Sequence, residues 1–126
     1  MAIVKDKFRE TKKYYLVYSE LITAAKYRGT ITYQEIARII RFPLSGNWMG
    51  AQIGQLLGEI SEDEVRHNRP MLSAVAVNTT GVPGTGFFWL AQQLKRLNNN
   101  SKKGRQKFWE EEKKAVYEAW KVNLKA

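Results

Sequence analysis

A mainly helical α+β fold is predicted for this chain of 126 residues, on the basis of three observations. Stretches near both ends repeat apolar residues at the three- and four-residue spacing of amphipathic helices. Two shorter stretches with the same spacing surround a turn in the middle of the chain. A β-branched run and a turn-rich segment follow, and this order favours a short β-hairpin. The length fits one domain that is large enough to bury a core without disulfide bonds. The chain has no cysteine, so disulfide bonds are excluded.

The N-terminal helix is predicted over Phe8–Tyr27, where Tyr15, Tyr18 and Ile22 share one face. The glycine that follows, Gly29, is the expected left-handed residue after this helix.

Two short helices around a tight turn are predicted next. Thr32 and Glu35 form a capping box that opens the first helix, and Pro43 ends it. A turn over residues 44–47 leads to a second helix from Trp48 to about Ile60. Each helix has one apolar face, which is the helix-turn-helix pattern. Glycines recur every fourth residue along the second helix and predict that another backbone packs closely there, at Gly50, Gly54 and Gly58.

The second half of the chain completes the predicted fold. Residues 71–77 are predicted to form a strand, residues 78–86 a turn-rich loop that supports a hairpin or wing, and residues 87–97 a third helix. A helix over residues 107–122 closes the chain. The whole is predicted to be a single domain with an N-terminal helix (1–28), a winged helix-turn-helix core (29–97), a basic linker (98–106) and a C-terminal helix (107–126).

The formal net charge of +9 is concentrated at the two ends of the chain. Residues 1–28 contain seven basic and three acidic residues, residues 95–126 contain ten and four, and residues 71–94 contain none. A basic surplus of this size is typical of proteins that bind a polyanion, usually nucleic acid. Solubility alone is the alternative explanation.

Several classes of protein are excluded or disfavoured by composition. Residues 1–13 are charged where a signal peptide would be apolar, and prolines and glycines interrupt the uncharged run 70–94. We therefore expect a soluble cytoplasmic protein with no membrane partner. The single histidine, His67, and the absence of cysteine argue against a catalytic triad or a His- or Cys-based metal centre. No enzyme activity and no cofactor are predicted.

Three short motifs resemble the winged-helix DNA-binding domain of the DNA alkyltransferases. They are Gly29–Ala37 (GTITYQEIA), Gly50–Leu57 (GAQIGQLL) and Leu72–Asn78 (LSAVAVN), the last followed by a glycine turn at Gly81. The resemblance covers residues 29–94. It implies a winged helix-turn-helix that binds duplex DNA, with Tyr33 helping to hold the DNA backbone.

The same alignment shows where the chain departs from the family. Ser73 stands in place of the acceptor cysteine, followed by Ala74 for the histidine and Val75 for the arginine. Ala51 stands in place of the arginine that fills the gap left by a flipped base. Alkyl transfer to a thiolate is therefore excluded, and the resemblance points to the non-repairing, alkyltransferase-like branch.

The candidate DNA contacts fall into two groups. On the helix-turn-helix, the amide side chains of Asn47, Gln52 and Gln55 can pair with adenine. Trp48 can stack on a base or wedge into a base step, and Tyr33 and Arg41 contact the DNA backbone. Around the linker, six cations without an acid can bind phosphates, namely Lys95, Arg96, Lys102, Lys103, Arg105 and Lys107.

Each group also has a structural interpretation. Asn47 would cap the second helix, the glutamines would be ordinary solvated residues, Trp48 would belong to the core, and the six cations would be a solvated connector. The second helix lacks Lys and Arg over its predicted length, and Glu59 would repel phosphates.

The predicted function is non-catalytic binding of nucleic acid, with duplex DNA favoured over RNA. One alternative is a protein-interaction adaptor that uses the winged-helix scaffold and the aromatic C-terminal helix, with Trp109 and Trp120. The other is a divalent-metal nuclease. If the second helix continues, Glu59, Asp63 and His67 share one face beside Glu64, although such a run is usually a solvated helix end.

Overall fold

The computed structural model describes residues 2–42 and 47–121, except for the side chains of residues 47 and 48. Its elements, in chain order, are helix α1 (Lys12–Lys26), strand β1 (Ile31–Thr32), helix α2 (Tyr33–Ile39), helix α3 (Asn47–Arg66), a 3-10 helix (Leu72–Val75), strand β2 (Ala76–Val77), helix α4 (Thr85–Gln93) and helix α5 (Lys102–Trp120). The mainly helical prediction is confirmed. Most of the predicted turn 44–47 lies outside the described residues.

All five helices contribute to one hydrophobic cluster, through side chains such as Val17, Ile36, Ile53, Leu90 and Val116. The 3-10 helix lies at its centre, where it packs against α1, α3 and α5 and is buried along its whole length. The segment 71–77, predicted as a strand, is a strand only at Ala76–Val77, because the β1 segment that pairs with it begins only at Ile31, after the end of α1. Within the described residues, no helix has both the length and the apolar character needed to cross a membrane.

The two strands pair in parallel, so the predicted β-hairpin is wrong for the described residues. Ile31 lies opposite Ala76, and Thr32 lies opposite Val77. The loop after β2 is closed locally by the side chain of Asn78, which accepts hydrogen bonds from backbone N–H groups in the loop. The chain then enters α4 and does not return as a second strand.

Capping residues set two helix starts that differ from the prediction. The Thr11 hydroxyl accepts a hydrogen bond from the backbone N–H of Tyr14, so α1 begins after it and not at Phe8. The Ser101 hydroxyl accepts in the same way from Gly104, and α5 begins at Lys102 rather than Lys107. The latter part of the predicted basic linker is therefore helical. The predicted capping box between Thr32 and Glu35 at the start of α2 is confirmed.

Helices α1 to α4 share one way of ending, with a non-glycine residue in the left-handed conformation. These residues are Arg28, Arg41, Asn68 and Lys95, with φ between 56° and 61°. The next N–H group bonds back to a carbonyl of the last turn, as Gly29 does to Ala24 at 2.8 Å. The left-handed residue after α1 is thus Arg28, one position before the predicted Gly29.

Candidate nucleic-acid interface

The N-terminal arm, defined here as residues 2–10, lies along α3 and is held there by a buried carboxylate. Glu59 has no exposed surface, and its Oε1 accepts hydrogen bonds of 2.9 Å from the backbone N–H groups of Lys7, Phe8 and Arg9. Three successive N–H groups that converge on one anion form a nest, an arrangement that binds negative charge well. The arm is therefore fixed to α3 through its backbone, and its lysine side chains are left outside.

A second carboxylate, Glu62, extends this attachment. Its Oε2 accepts from the backbone N–H of Ile3 at 2.6 Å, and its Oε1 accepts from the Arg9 guanidinium at 2.8 Å. The Arg9 Nε also donates to Asp63 at 3.0 Å. Burial alone would lower the pKa of Arg9, but its bonds to Asp6, Asp63 and Glu62 outweigh burial and raise it. The guanidinium therefore stays charged against these acids.

Asp63 and Glu64 also accept hydrogen bonds from tyrosines of α1. The Tyr14 hydroxyl donates to Asp63 at 2.6 Å, and the Tyr18 hydroxyl donates to Glu64. Burial, reinforced by the bond to Glu64, raises the pKa of Tyr18 to about 12, and burial together with Asp63 also raises the pKa of Tyr14. Glu64 further accepts from Arg69 Nε at 2.7 Å. All four acids in residues 59–64 are thus hydrogen-bonded within the fold.

These bonds occupy the carboxylates that the metal-nuclease alternative would need on Glu59, Asp63, Glu64 and His67. Each carboxylate already faces N–H or O–H donors, and the exposed His67 ring has Nδ1 2.8 Å from the Asp63 carbonyl oxygen. No three His, Cys, Asp or Glu side chains in the described part of the chain are arranged to hold a metal ion. Burial of Glu59 also removes the repulsion that it was expected to exert on phosphates.

The arm brings cations to the first three turns of α3, which contain no Lys or Arg. Lys7 Nζ donates to Gln52 Oε1 at 2.6 Å, and Gln55 Nε2 donates to the backbone carbonyl of Lys5 at 2.7 Å. Both lysines are exposed. The two glutamines predicted to contact bases therefore lie beside the arm and already bond to it.

The position of the arm was not predicted, although the sequence contains a signal for it. Four acids occur within residues 59–64, next to the apolar stripe of α3. Buried carboxylates require donors, and so such a cluster indicates that a basic or N–H-rich segment packs against it.

Arg41 lies exposed where α2 ends, at the same end of the α2–α3 pair as the arm. Its neighbour Phe42 packs against Phe8 of the arm, with ring centroids 6.1 Å apart, and Lys13 Nζ lies 5.8 Å from the Phe42 centroid. The structure therefore brings Arg41 close to the basic arm. The side chains of two further predicted contacts lie outside the described residues, namely Asn47 and Trp48.

A pocket of about 380 Å³ opens between α2, α3 and α4. Gly50 and Gly54 line it, and a Cβ added at either would meet no atom of the described residues within 4 Å. The predicted close approach of another backbone is therefore wrong at these two positions. At Gly58, an added Cβ would lie 3.6 Å from the methyl groups of Val4 in the arm. The glycine stripe thus faces a pocket at one end and the arm at the other.

Three hydroxyl residues line this pocket, namely Tyr33, Ser73 and Thr85. The Tyr33 oxygen accepts from the backbone N–H of Gly84 at 2.6 Å, and the Oγ atoms of Ser61 and Ser73 are hydrogen-bonded at 2.6 Å. Burial raises the pKa of Tyr33, and the bond from Gly84 opposes this only in part. Tyr33, predicted to touch the DNA backbone, therefore points its hydroxyl group at the pocket.

The six cations predicted to bind phosphates divide into two kinds. Arg96 bonds to the buried carboxylate of Glu112 through Nε and Nη2, at 2.8 and 2.9 Å, and Glu112 also accepts from the backbone N–H of Met71. The Arg105 guanidinium lies 5.3 Å from the Phe88 ring centroid and is partly buried. The remaining four are exposed, namely Lys95, Lys102, Lys103 and Lys107.

No protein-family model matches this sequence, and no curated protein or solved structure matches it. The resemblance to the DNA alkyltransferases therefore stays a prediction that rests on short motifs.

Proposed function

We propose that this protein binds duplex DNA without catalysis, through the face where the N-terminal arm lies along α3. The observation that carries the proposal is the attachment of the arm to Glu59, which sets Lys5 and Lys7 beside Gln52 and Gln55. Cations on phosphates would supply affinity. Sequence preference would come from the amide atoms that the arm does not engage, Gln52 Nε2 and Gln55 Oε1, each able to make one bond to a base edge in the major groove.

The charge distribution supports this proposal. Glu59, Glu62 and Glu64 are 0–1% exposed, so α3 turns these negative charges inward. Lys5, Lys7 and Lys13 remain outside. Residues 2–13 also expose Asp6 and Glu10 beside Lys5, Lys7, Lys12 and Lys13, so their exposed charges sum to +2, whereas the first three turns of α3 contain no charged residue.

In this proposal α2 and α3 are the helices of a winged helix-turn-helix, and the loop after β2 takes the place of the wing. The pocket supplies a further position for DNA. Its apolar walls suit the faces of a planar base, and the hydroxyls of Tyr33 and Ser73 can donate to acceptor atoms at its edge. The proposed location is the cytoplasm, as the sequence predicts.

The test is fluorescence anisotropy of a labelled random duplex across a salt series. Lys5→Gln/Lys7→Gln should flatten the dependence of log K on log salt by about 0.9 for each phosphate that is no longer neutralised. The matched control, Lys26→Gln/Lys114→Gln, removes the same charge from exposed lysines elsewhere and should change the slope less.

Two results would contradict the proposal. Equal effects of the two double variants would indicate attraction to net charge and not to this face. Absence of binding at low salt would remove the DNA hypothesis altogether. An RNA duplex of the same sequence tests the preference for DNA.

The adaptor alternative has less support, because two aromatic residues of α5 make hydrogen bonds within the domain. Trp109 is 6% exposed and its Nε1 donates to the carbonyl of Ala74 at 2.8 Å, while the Tyr117 hydroxyl donates to Gly29 at 2.9 Å. These aromatics of α5 face the domain. If no nucleic acid binds, the exposed aromatic Tyr15 on α1 is where a protein partner should be sought.

A further inference from the structure

Trp89, on the outer face of α4, is 53% exposed. Of the other tryptophans with described side chains, Trp109 has Lys113 Nζ 4.2 Å from its ring centroid, and Trp120 has Arg69 at 5.6 Å. No ring or cation within the described residues lies against Trp89 in this way. An exposed tryptophan of this kind is a common feature of binding surfaces.

The residues around Trp89 are polar or basic. Helical spacing places Thr85 one turn before it and Gln93 one turn after it, and both are exposed. The preceding residue, Phe88, is covered by the guanidinium of Arg105 from the first turn of α5. The sequence contains no acid between Glu64 and Glu110.

We propose that this surface binds an unpaired, single-stranded segment of nucleic acid. Trp89 would stack on one base, while Lys102 and Lys103, exposed in the first turn of α5, would bind phosphates. An aromatic side chain beside flexible cations is the chemistry by which proteins bind single strands, because every unpaired base offers a flat face. Paired bases hide those faces, so Trp89 has no comparable contact to make with an intact duplex. A protein partner is less well matched, since the exposed residues one turn from Trp89 are polar and the chain from residue 65 to residue 109 contains basic residues but no acid.

This site uses none of the residues proposed to bind duplex DNA, and the two proposals can be tested together. The probes are a blunt duplex, the same duplex with a six-nucleotide adenine tail, and twelve-nucleotide single strands of deoxyadenosine and of adenosine. The variants are Trp89→Ala, Trp89→Phe and Lys102→Gln/Lys103→Gln. Tyr27→Ala is the matched control, because Tyr27 is an aromatic that is 82% exposed elsewhere.

We expect the tail to increase the affinity of the unchanged protein and Trp89→Ala to remove that increase. The affinity for the single strands should fall at least about fivefold in Trp89→Ala, and Trp89→Phe should retain most of it. Tyr27→Ala should behave like the unchanged protein. The two single strands show whether the site accepts DNA, RNA or both.

The proposal is overturned if the tail adds no affinity, or if folded Trp89→Ala, checked by circular dichroism, binds the tail and single strands as well as Tyr27→Ala does. Binding of the blunt duplex without a tail effect would support the arm face and contradict the Trp89 site. Single-strand binding that depends on Trp89, without duplex binding, would support the Trp89 site and contradict the arm face. Absence of binding to every probe would contradict both proposals.

Discussion

Helices α3 and α5 both bury glutamates, but their outer surfaces differ. On α3, Glu59 and Glu62 accept hydrogen bonds from the arm, which then supplies the cations of that face. On α5, Glu112 accepts from Arg96, and the helix presents the lysines of its own first turn to solvent. Formal charge in the sequence is therefore a poor guide to surface charge. A neutral helix can carry a basic face, and a basic run can include a cation that serves the core.

The largest expected effect on stability comes from removing Glu59, the acceptor that holds the arm on α3. In Glu59→Ala, three N–H groups of the arm lose their acceptor, and the free energy of unfolding should fall by about 3 kcal/mol. The affinity for duplex DNA should fall with it, because Lys5 and Lys7 lose their fixed position. Urea denaturation and anisotropy measure the two effects.

Glu20→Ala is the control for this experiment, since Glu20 is an exposed glutamate on α1. A surface change of this kind should alter stability by less than about 0.5 kcal/mol. If Glu59→Ala is no less stable than Glu20→Ala, the nest does not hold the arm in solution.

A smaller effect on stability is expected in the basic run, where an ion-paired cation is compared with an exposed one. Arg96→Gln leaves the Glu112 carboxylate buried without its charged partner and should lower the free energy of unfolding by about 2 kcal/mol. Lys102→Gln should leave stability within about 0.5 kcal/mol, because this side chain is exposed. Chemical denaturation of both variants checks the difference. Equal stabilities would mean that the Arg96–Glu112 pair contributes nothing.

Local signals accounted for the parts of the fold that the sequence predicted well. The capping box of Thr32 and Glu35 involves residues three apart. The stripe predicted on α1 through Tyr15, Tyr18 and Ile22 is wrong: Tyr15 is 57% exposed, and the buried face of the helix consists of Tyr14, Val17, Leu21 and Ala25. Apolar residues are dense on both sides of this helix, so spacing alone did not decide which side packs against the core. The parallel pairing of Ile31 with Ala76 joins residues far apart in sequence and has no local pattern. The attachment of Lys7 to Glu59 has the same character.

The candidate site followed the same division. Residue types alone identified the exposed lysines at the start of α5 and the glutamines of α3. They could not show that Arg96 is used by Glu112, because that pair forms only when α5 packs beside the end of α4. Residue types also could not show that Tyr33 of α2 and Ser73 of the 3-10 helix line one pocket, since only tertiary packing brings the two elements to it.

The smallest effects concern one glycine on each of the two helices. A Cβ at Gly54 of α3 would meet nothing within 4 Å in the part of the chain that the structure describes, whereas a Cβ at Gly104 of α5 would lie 2.2 Å from the carbonyl oxygen of Asn99. Gly54→Ala should therefore raise the free energy of unfolding by about 0.5–1 kcal/mol, which is the usual gain of alanine over glycine in a helix. Gly104→Ala should lower it by about 1 kcal/mol, because the Asn99 carbonyl must move and the start of α5 with it. Thermal denaturation of the two variants gives both signs. A gain at both positions would show that the first turn of α5 can shift freely, and the phosphate contacts assigned to Lys102 and Lys103 would then lack a fixed geometry.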